Sequence, residues 1–138
     1  MKKYLLFGAL GIVAIGAIVG YMMWNKPHKN IVKAAPDLIM ESTNLFSDYE
    51  ADEATANTKY LNKLIQVTGV VKLVTRDDDG KVSIVLDSGS ELAGVICELD
   101  ELTKHPRTDF KEGEKITIKG ICTGMLMDVV LVRCVVVS

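Results

Sequence analysis

The strongest constraint on this chain is the run from Tyr4 to Trp24, YLLFGALGIVAIGAIVGYMMW, which holds no charged residue. A helix rises 1.5 Å per residue, so about 20 such residues cross the roughly 30 Å hydrocarbon core of a bilayer. Lys2 and Lys3 precede the run; Lys26, His28 and Lys29 follow it. Tyr4, Tyr21 and Trp24 fall near its ends, where amphipathic rings favour the headgroup layer. The competing readings are a cleaved signal peptide and a buried core helix. A signal peptide has a shorter apolar stretch, about 7–15 residues, and a small-x-small cleavage site. Tyr21-Met22-Met23-Trp24 supplies no such site. The run is therefore expected to be a transmembrane helix or signal anchor that meets membrane lipid through residues 4–24. Gly16 and Gly20 form a GxxxG pair, a spacing that lets helix backbones approach closely. Weak self-association through them is an expectation.

This anchor divides the chain into a short tail (1–3), the apolar helix (4–24), a basic linker (25–36) bracketed by Pro27 and Pro36, and one domain (37–138). None of the 18 acidic residues precedes residue 34, whereas Lys2, Lys3, Lys26, Lys29 and Lys33 all do. The domain is thus more acidic than the whole-chain net charge of −2 suggests. Such a surface repels polyanions on average, so nucleic acid is not expected as a partner. The lysines on either side of the helix do not fix its orientation.

Within the domain the apolar period changes. Leu38, Ile39, Leu45, Phe46 and Tyr49 recur at near-helical spacing, and a second helical stretch covers residues 50–63, with Ala54, Ala56, Tyr60 and Leu64 as its buried side. These are one bent helix or two. Beyond Leu64 the period becomes 2. Ile65, Val67, Val71 and Leu73 alternate with Gln66, Thr68, Val70 and Lys72, interrupted by Gly69, which predicts a bulge or tight bend there. Asp79-Gly80 is a hairpin signal, and Val82, Ile84 and Leu86 begin a second alternating row. A third strand is expected from Glu91 to Leu99, with Ala93, Val95, Cys97 and Leu99 inward. A fourth carries Ile116 and Ile118, and a fifth runs from Val129 to Val137, apolar on both faces with Arg133 its single charge. The fold class is mainly β: a five-stranded OB-like barrel preceded by one or two short helices, plus the N-terminal transmembrane helix. An incomplete sandwich is the alternative.

Asp52, Glu53, Ala56, Asn57, Lys59, Tyr60, Lys63, Ile65, Val67, Gly69 and Val71, followed by Cys97, by Lys119 to Gly124, and by Asp128, Val129 and Cys134, resemble the tRNA_anti-like family. These are small OB-fold proteins of Bacteroidetes, often with an N-terminal signal or membrane segment. The resemblance covers about residues 38–137. Leu99 departs from it, since the family pattern has an aromatic two residues after the cysteine. The resemblance implies an OB barrel on the extracytoplasmic side of a membrane. It implies nucleic-acid binding only by analogy of fold, which does not fix function.

Tests for chemistry return little. Asp77, Asp78, Asp79 and Asp87 surround one hairpin, but counting from Asp77 the twelfth position is Ser88, where a calcium loop needs Glu. His28 and His105 lack neighbouring Cys or His, so no metal site is expected. No phosphate loop, nucleophile–base pair or catalytic residue stands out, and neither an enzyme nor a cofactor is expected. Cys97, Cys122 and Cys134 fall in the third, fourth and fifth strands. In an OB barrel the fifth strand neighbours the other two, so Cys134 could approach either. A Cys122–Cys134 disulfide is the candidate pair, beside Cys97–Cys134 and three reduced thiols. The preferred function is a non-enzymatic, membrane-tethered binding or scaffolding module with a protein or small-molecule partner. The alternative is a single-stranded nucleic-acid or oligonucleotide binder, for which Lys72, Lys81, Lys115 and Lys119 are the candidate face. If Tyr4–Trp24 is an anchor, the full chain stays in the membrane fraction through high-salt and carbonate washes; a soluble product starting near residue 25 would contradict this.

Overall fold

The structure, a computed structural model, describes residues 1–25, 30–101, 103–105 and 107–137. Lys26, Pro27, His28 and Lys29 of the expected linker, and Pro106, lie outside the described residues. Helix α1, Lys2–Trp24, is long and apolar enough to cross a membrane, and none of its residues is buried. The domain follows in the order β1 (Leu38–Glu41), α2 (Ser42–Ala51), α3 (Glu53–Tyr60), β2 (Leu64–Arg76), β3 (Val82–Asp87), β4 (Gly94–Leu99), β5 (Lys115–Met125) and β6 (Val129–Val136).

Five of these strands close a barrel in the order β2-β3-β4-β6-β5, with β5 returning to β2. The expected OB-like architecture is therefore present. Closure depends on β2, which pairs antiparallel with β5 from Leu64 to Val70 and with β3 from Val71 to Arg76. Ile65, Val67, Ile84, Leu86, Val95, Cys97, Ile118, Leu131 and Cys134 fill the interior.

Gly69 does not bulge. Its register with Ile116 is unbroken, and the shift falls between Val71 and Leu73 against β3. What Gly69 provides is close approach. A Cβ there would stand 2.3 Å from Ser42 Oγ and 3.2 Å from Leu86 Cβ. Ser42 opens α2 and donates to the Asp87 carbonyl at 2.6 Å, so the bare backbone seats α2 on the barrel.

Leu38–Glu41, expected as the start of a helix, forms a short parallel strand beside β2, Leu38 opposite Ile65. The cause is non-local. Asp37 accepts the Leu64 N–H on its carboxylate at 2.9 Å and donates its own N–H to the Leu64 carbonyl at 2.7 Å. These bonds pin the chain alongside β2 in extended form. The helical region divides in two at Asp52, whose carboxylate accepts from Thr55 N–H and Thr55 Oγ1 and caps α3. Leu45, Phe46, Tyr49, Ala56 and Tyr60 are buried as expected; Ala54 is exposed.

The chain before β1 also lies on the barrel. Ile31 is buried against Leu64 and Val135. The Lys119 ammonium donates to the carbonyls of Val32 at 3.2 Å and Ala34 at 2.7 Å. The domain is thereby attached a few residues after α1.

Tyr49 and Tyr60 meet as tilted rings with 5.9 Å between centroids, and Tyr60 donates its hydroxyl proton to Asp48. Burial, reinforced by that bond, pushes the Tyr60 phenol up to about 12 from 10.0; burial raises Tyr49 as well. A phenol whose folded pKa exceeds its unfolded value stabilises fully below about pH 10 and loses that contribution as pH rises through the folded pKa. Stability should therefore fall from pH 10 upward, and Tyr60→Phe should flatten the fall. Tyr60→Ala should cost about 3–5 kcal/mol in urea unfolding; an unchanged midpoint would show that the helices are merely attached.

Candidate functional site

The outer surface of β2, β3, β4 and β6 carries two cross-strand rows. One is apolar: Leu73 pairs with Val85, Val85 with Ile96, and Ile96 with Val130. The other is polar: Thr75 pairs with Ser83, and Ser83 with Glu98. Residues paired across strands share a face, so the rows form adjacent stripes across four strands.

Strand β6 sets the chemistry of this face through a bulge. Against β4, Cys97 pairs with Leu131 and Leu99 with Cys134; against β5, Ile121 pairs with Val132 and Lys119 with Val135. On both edges β6 holds one residue more than its partner, between Leu131 and Cys134. Strict alternation from Val129 and Leu131 would have sent Arg133 into the core. The extra residue shifts the phase, so that Cys134 turns inward, against Gly120, where a Cβ would stand 2.4 Å from its sulfur. Arg133 takes a left-handed backbone, φ 53°, and lines a hollow of about 540 Å³ with Ser83, Glu98 and Lys81. Bulges re-aim side chains in this way, and a left-handed non-glycine residue carries local strain.

A second hollow of about 630 Å³ adjoins it, shared through Lys81, Leu99, Asp100 and Glu101 and reaching His105 and Thr108. The β2–β3 turn forms its rim. Asp77 accepts the Lys81 N–H at 2.8 Å, and Gly80 supplies the left-handed turn residue, φ 85°. Lys81 pairs with Glu101 at 3.2 Å. The 100–114 connection is fastened beside it: His105 Nε2 meets the Asp100 carbonyl at 2.7 Å, and Phe110 is buried under Arg107. Cations and acids are therefore interleaved, with Lys81 and Arg133 set among Asp77, Glu98, Asp100 and Glu101. Among the described residues, no three His, Cys, Asp or Glu side chains gather as metal ligands.

Of the four lysines expected on a common face, only Lys81 stands here. Lys119 is on the outward side of β5, as alternation requires, but the preceding chain covers it to 7% exposure. Lys72 donates to the Ser90 and Glu91 carbonyls at 3.0 Å. Lys115 pairs in register with Val70. Arg133 and the apolar row were not expected at a site. The signal available for Arg133 was its place as the one charge in an otherwise apolar strand.

All three cysteines are buried free thiols. Cys122 meets the Tyr49 hydroxyl at 3.4 Å. Cys134 meets Cys97, and burial, then that neighbour, raises its thiol well above the usual range. The β6 bulge turns Cys134 into the core beside Cys97, while Cys122 packs on Tyr49.

Residues 1–136 match the tRNA_anti-like family, and the chain belongs to it. No curated protein matches. Among solved structures, the chain is similar to a Klebsiella pneumoniae subsp. pneumoniae lipoprotein whose name gives it nucleic-acid binding as a presumed role. The identity is 18%, the match covers 82% of this chain and 100% of that one, and the TM-score is 0.55. At that identity the likeness is one of fold. The expected OB architecture and family are thus both present, and the family makes the domain a non-catalytic OB fold. A Bacteroidetes lineage gains no support from these matches. The expectation that excluded nucleic acid is corrected: the Klebsiella lipoprotein that shares this fold carries nucleic-acid binding in its own name. That expectation rested on the acidic average of the domain, and it overlooked a face where the bulge adds Arg133 to Lys81.

Deep burial should keep the three thiols from alkylation in the folded protein, and urea alone should expose all three. Mass spectrometry of non-reduced peptides reads this directly; a bridged Cys122–Cys134 peptide would contradict it.

Proposed function

We propose that this tRNA_anti-like domain is a single-pass, membrane-tethered module that binds single-stranded nucleic acid or a short oligonucleotide on the β2–β3–β4–β6 face. The observation that carries this reading is the β6 bulge, which brings Arg133 into the hollow that Lys81 also lines, at the β6 end of the polar row and next to the apolar one. OB domains that hold single strands combine a surface on which bases rest with cations along the backbone. Here Leu73, Val85, Ile96 and Val130 supply an aliphatic floor. It buries base surface without reading sequence. Thr75 and Ser83 offer hydroxyls, and Arg133 and Lys81 lie where phosphates would pass. Asp77, Glu98, Asp100 and Glu101 oppose the same phosphates, so binding is weak and confined to a short stretch. The tether raises the local concentration of domain at the bilayer, which offsets weak affinity through multivalency.

Fluorescence anisotropy of a labelled single-stranded oligonucleotide with the detergent-solubilised full chain tests this. Two phosphate contacts give a log–log salt slope of roughly −1.4 for a single strand. Arg133→Gly removes the cation and relieves the left-handed backbone, so the fold is retained while the slope shrinks by about 0.7. Binding that Arg133→Gly leaves unchanged would contradict the placement. Absence of binding at low salt would contradict the function.

A further inference from the structure

The barrel end opposite Lys81 carries large apolar side chains at its loop tips. Leu92 in the β3–β4 loop is 92% exposed; Leu126 and Met127 in the β5–β6 loop are 94% and 76% exposed. The two loops lie side by side. Gly94 donates its N–H to Asp128 Oδ1 at 2.7 Å, and Val95 pairs with Val129. Each is braced: Ser88 donates to the Ala93 carbonyl at 2.7 Å, Lys72 holds the Ser90 and Glu91 carbonyls, and Leu126 N–H meets the Asp128 carbonyl. Three apolar tips on braced loops form an exposed patch of the kind that marks an interaction surface.

We propose that this end is a second membrane contact, with Leu92, Leu126 and Met127 entering the interfacial layer of the bilayer that α1 crosses. The proposal rests on the tether in the proposed function. Its support is the path of the chain. Helix α1 ends at Trp24, and the chain is attached to the barrel from Ile31, which packs on Leu64, Val135 and Ile121. At about 3.3–3.6 Å per residue, the segment between them reaches no more than about 25 Å. From Ile121, β5 continues toward the tip, and about 3.4 Å per residue places Leu126 roughly 17 Å away. The tips therefore lie within reach of the surface α1 enters, and leucine and methionine side chains gain by leaving water there. The hollows that Lys81 lines lie around the β2–β3 turn, at the other end of the barrel. The bilayer then fixes the orientation of the barrel as well as its distance.

The test uses the full chain in phosphatidylcholine vesicles. The protein has one tryptophan, so Trp24→Phe gives a silent background into which Leu126→Trp places a reporter at an exposed tip. Leu73→Trp, on the side of the barrel, is the control. Circular dichroism verifies that each variant is folded, and flotation verifies that it is anchored. The expected result is blue-shifted emission from Leu126→Trp, with quenching by lipids brominated near the headgroup at least several-fold stronger than for the control. Flotation with water-like, unquenched emission from Leu126→Trp overturns the second contact and leaves the tether standing. Blue-shifted emission that bromolipid does not quench and that rises with protein density assigns the patch to a second copy, which also overturns the lipid contact. Failure to float overturns the tether and this inference together.

Discussion

The fold depends on one strand pairing along both edges. Strand β2 gives its first half to β5 and its second half to β3, and a five-stranded sheet closes only because one strand changes partners in this way. Near the change, at Gly69, the backbone is bare, and Ser42 takes the space a Cβ would fill. Ser42 then bonds to Asp87 at the end of β3. The barrel and its helical cover are therefore fastened at one place, and the arrangement of the outer face follows from it. Only where β2 has turned to β3 do Leu73 and Thr75 align with Val85 and Ser83.

A second irregularity, the β6 bulge, converts that face from a solvated sheet into a candidate site. It moves one charged side chain outward and one thiol inward by a single residue of phase. A strand's alternation carries no signal of such a shift, because one extra residue exchanges the two faces downstream of it. The same shift explains the core. Cys134, Cys97 and Gly120 fit together because no larger side chain competes for that volume. The interleaved acids limit the affinity of this face for any polyanion.

What could be read from the sequence follows the range of the interactions involved. Period-2 alternation and the Asp79-Gly80 turn are local, and the barrel strands lie where they indicate, although β4 begins at Gly94 rather than near Glu91. The capping Asp52 is local too, and it separates α2 from α3. Leu38–Glu41 was misread because Leu38 and Ile39 stand at helical spacing from Leu45, Phe46 and Tyr49, while the strand partner that decides their conformation starts at Leu64. Lys119 does face outward, as its alternation requires, yet the carbonyls that cover it come from residues 32 and 34. At the candidate site Lys81 was legible from a turn, whereas Arg133 stood out only as the one charge in β6, with nothing local to place it at a site. Its exposure depends on register with two neighbours, β4 and β5.

The proposed single-strand face lies on β2, β3, β4 and β6 of an OB barrel closed through β2. Amide hydrogen exchange on the full chain in detergent, with and without a saturating single-stranded oligonucleotide, tests it most directly. Slowed exchange is expected across residues 73–85, 96–98 and 130–133. Slowing confined to β5 and the first half of β2, or no slowing anywhere, would contradict it.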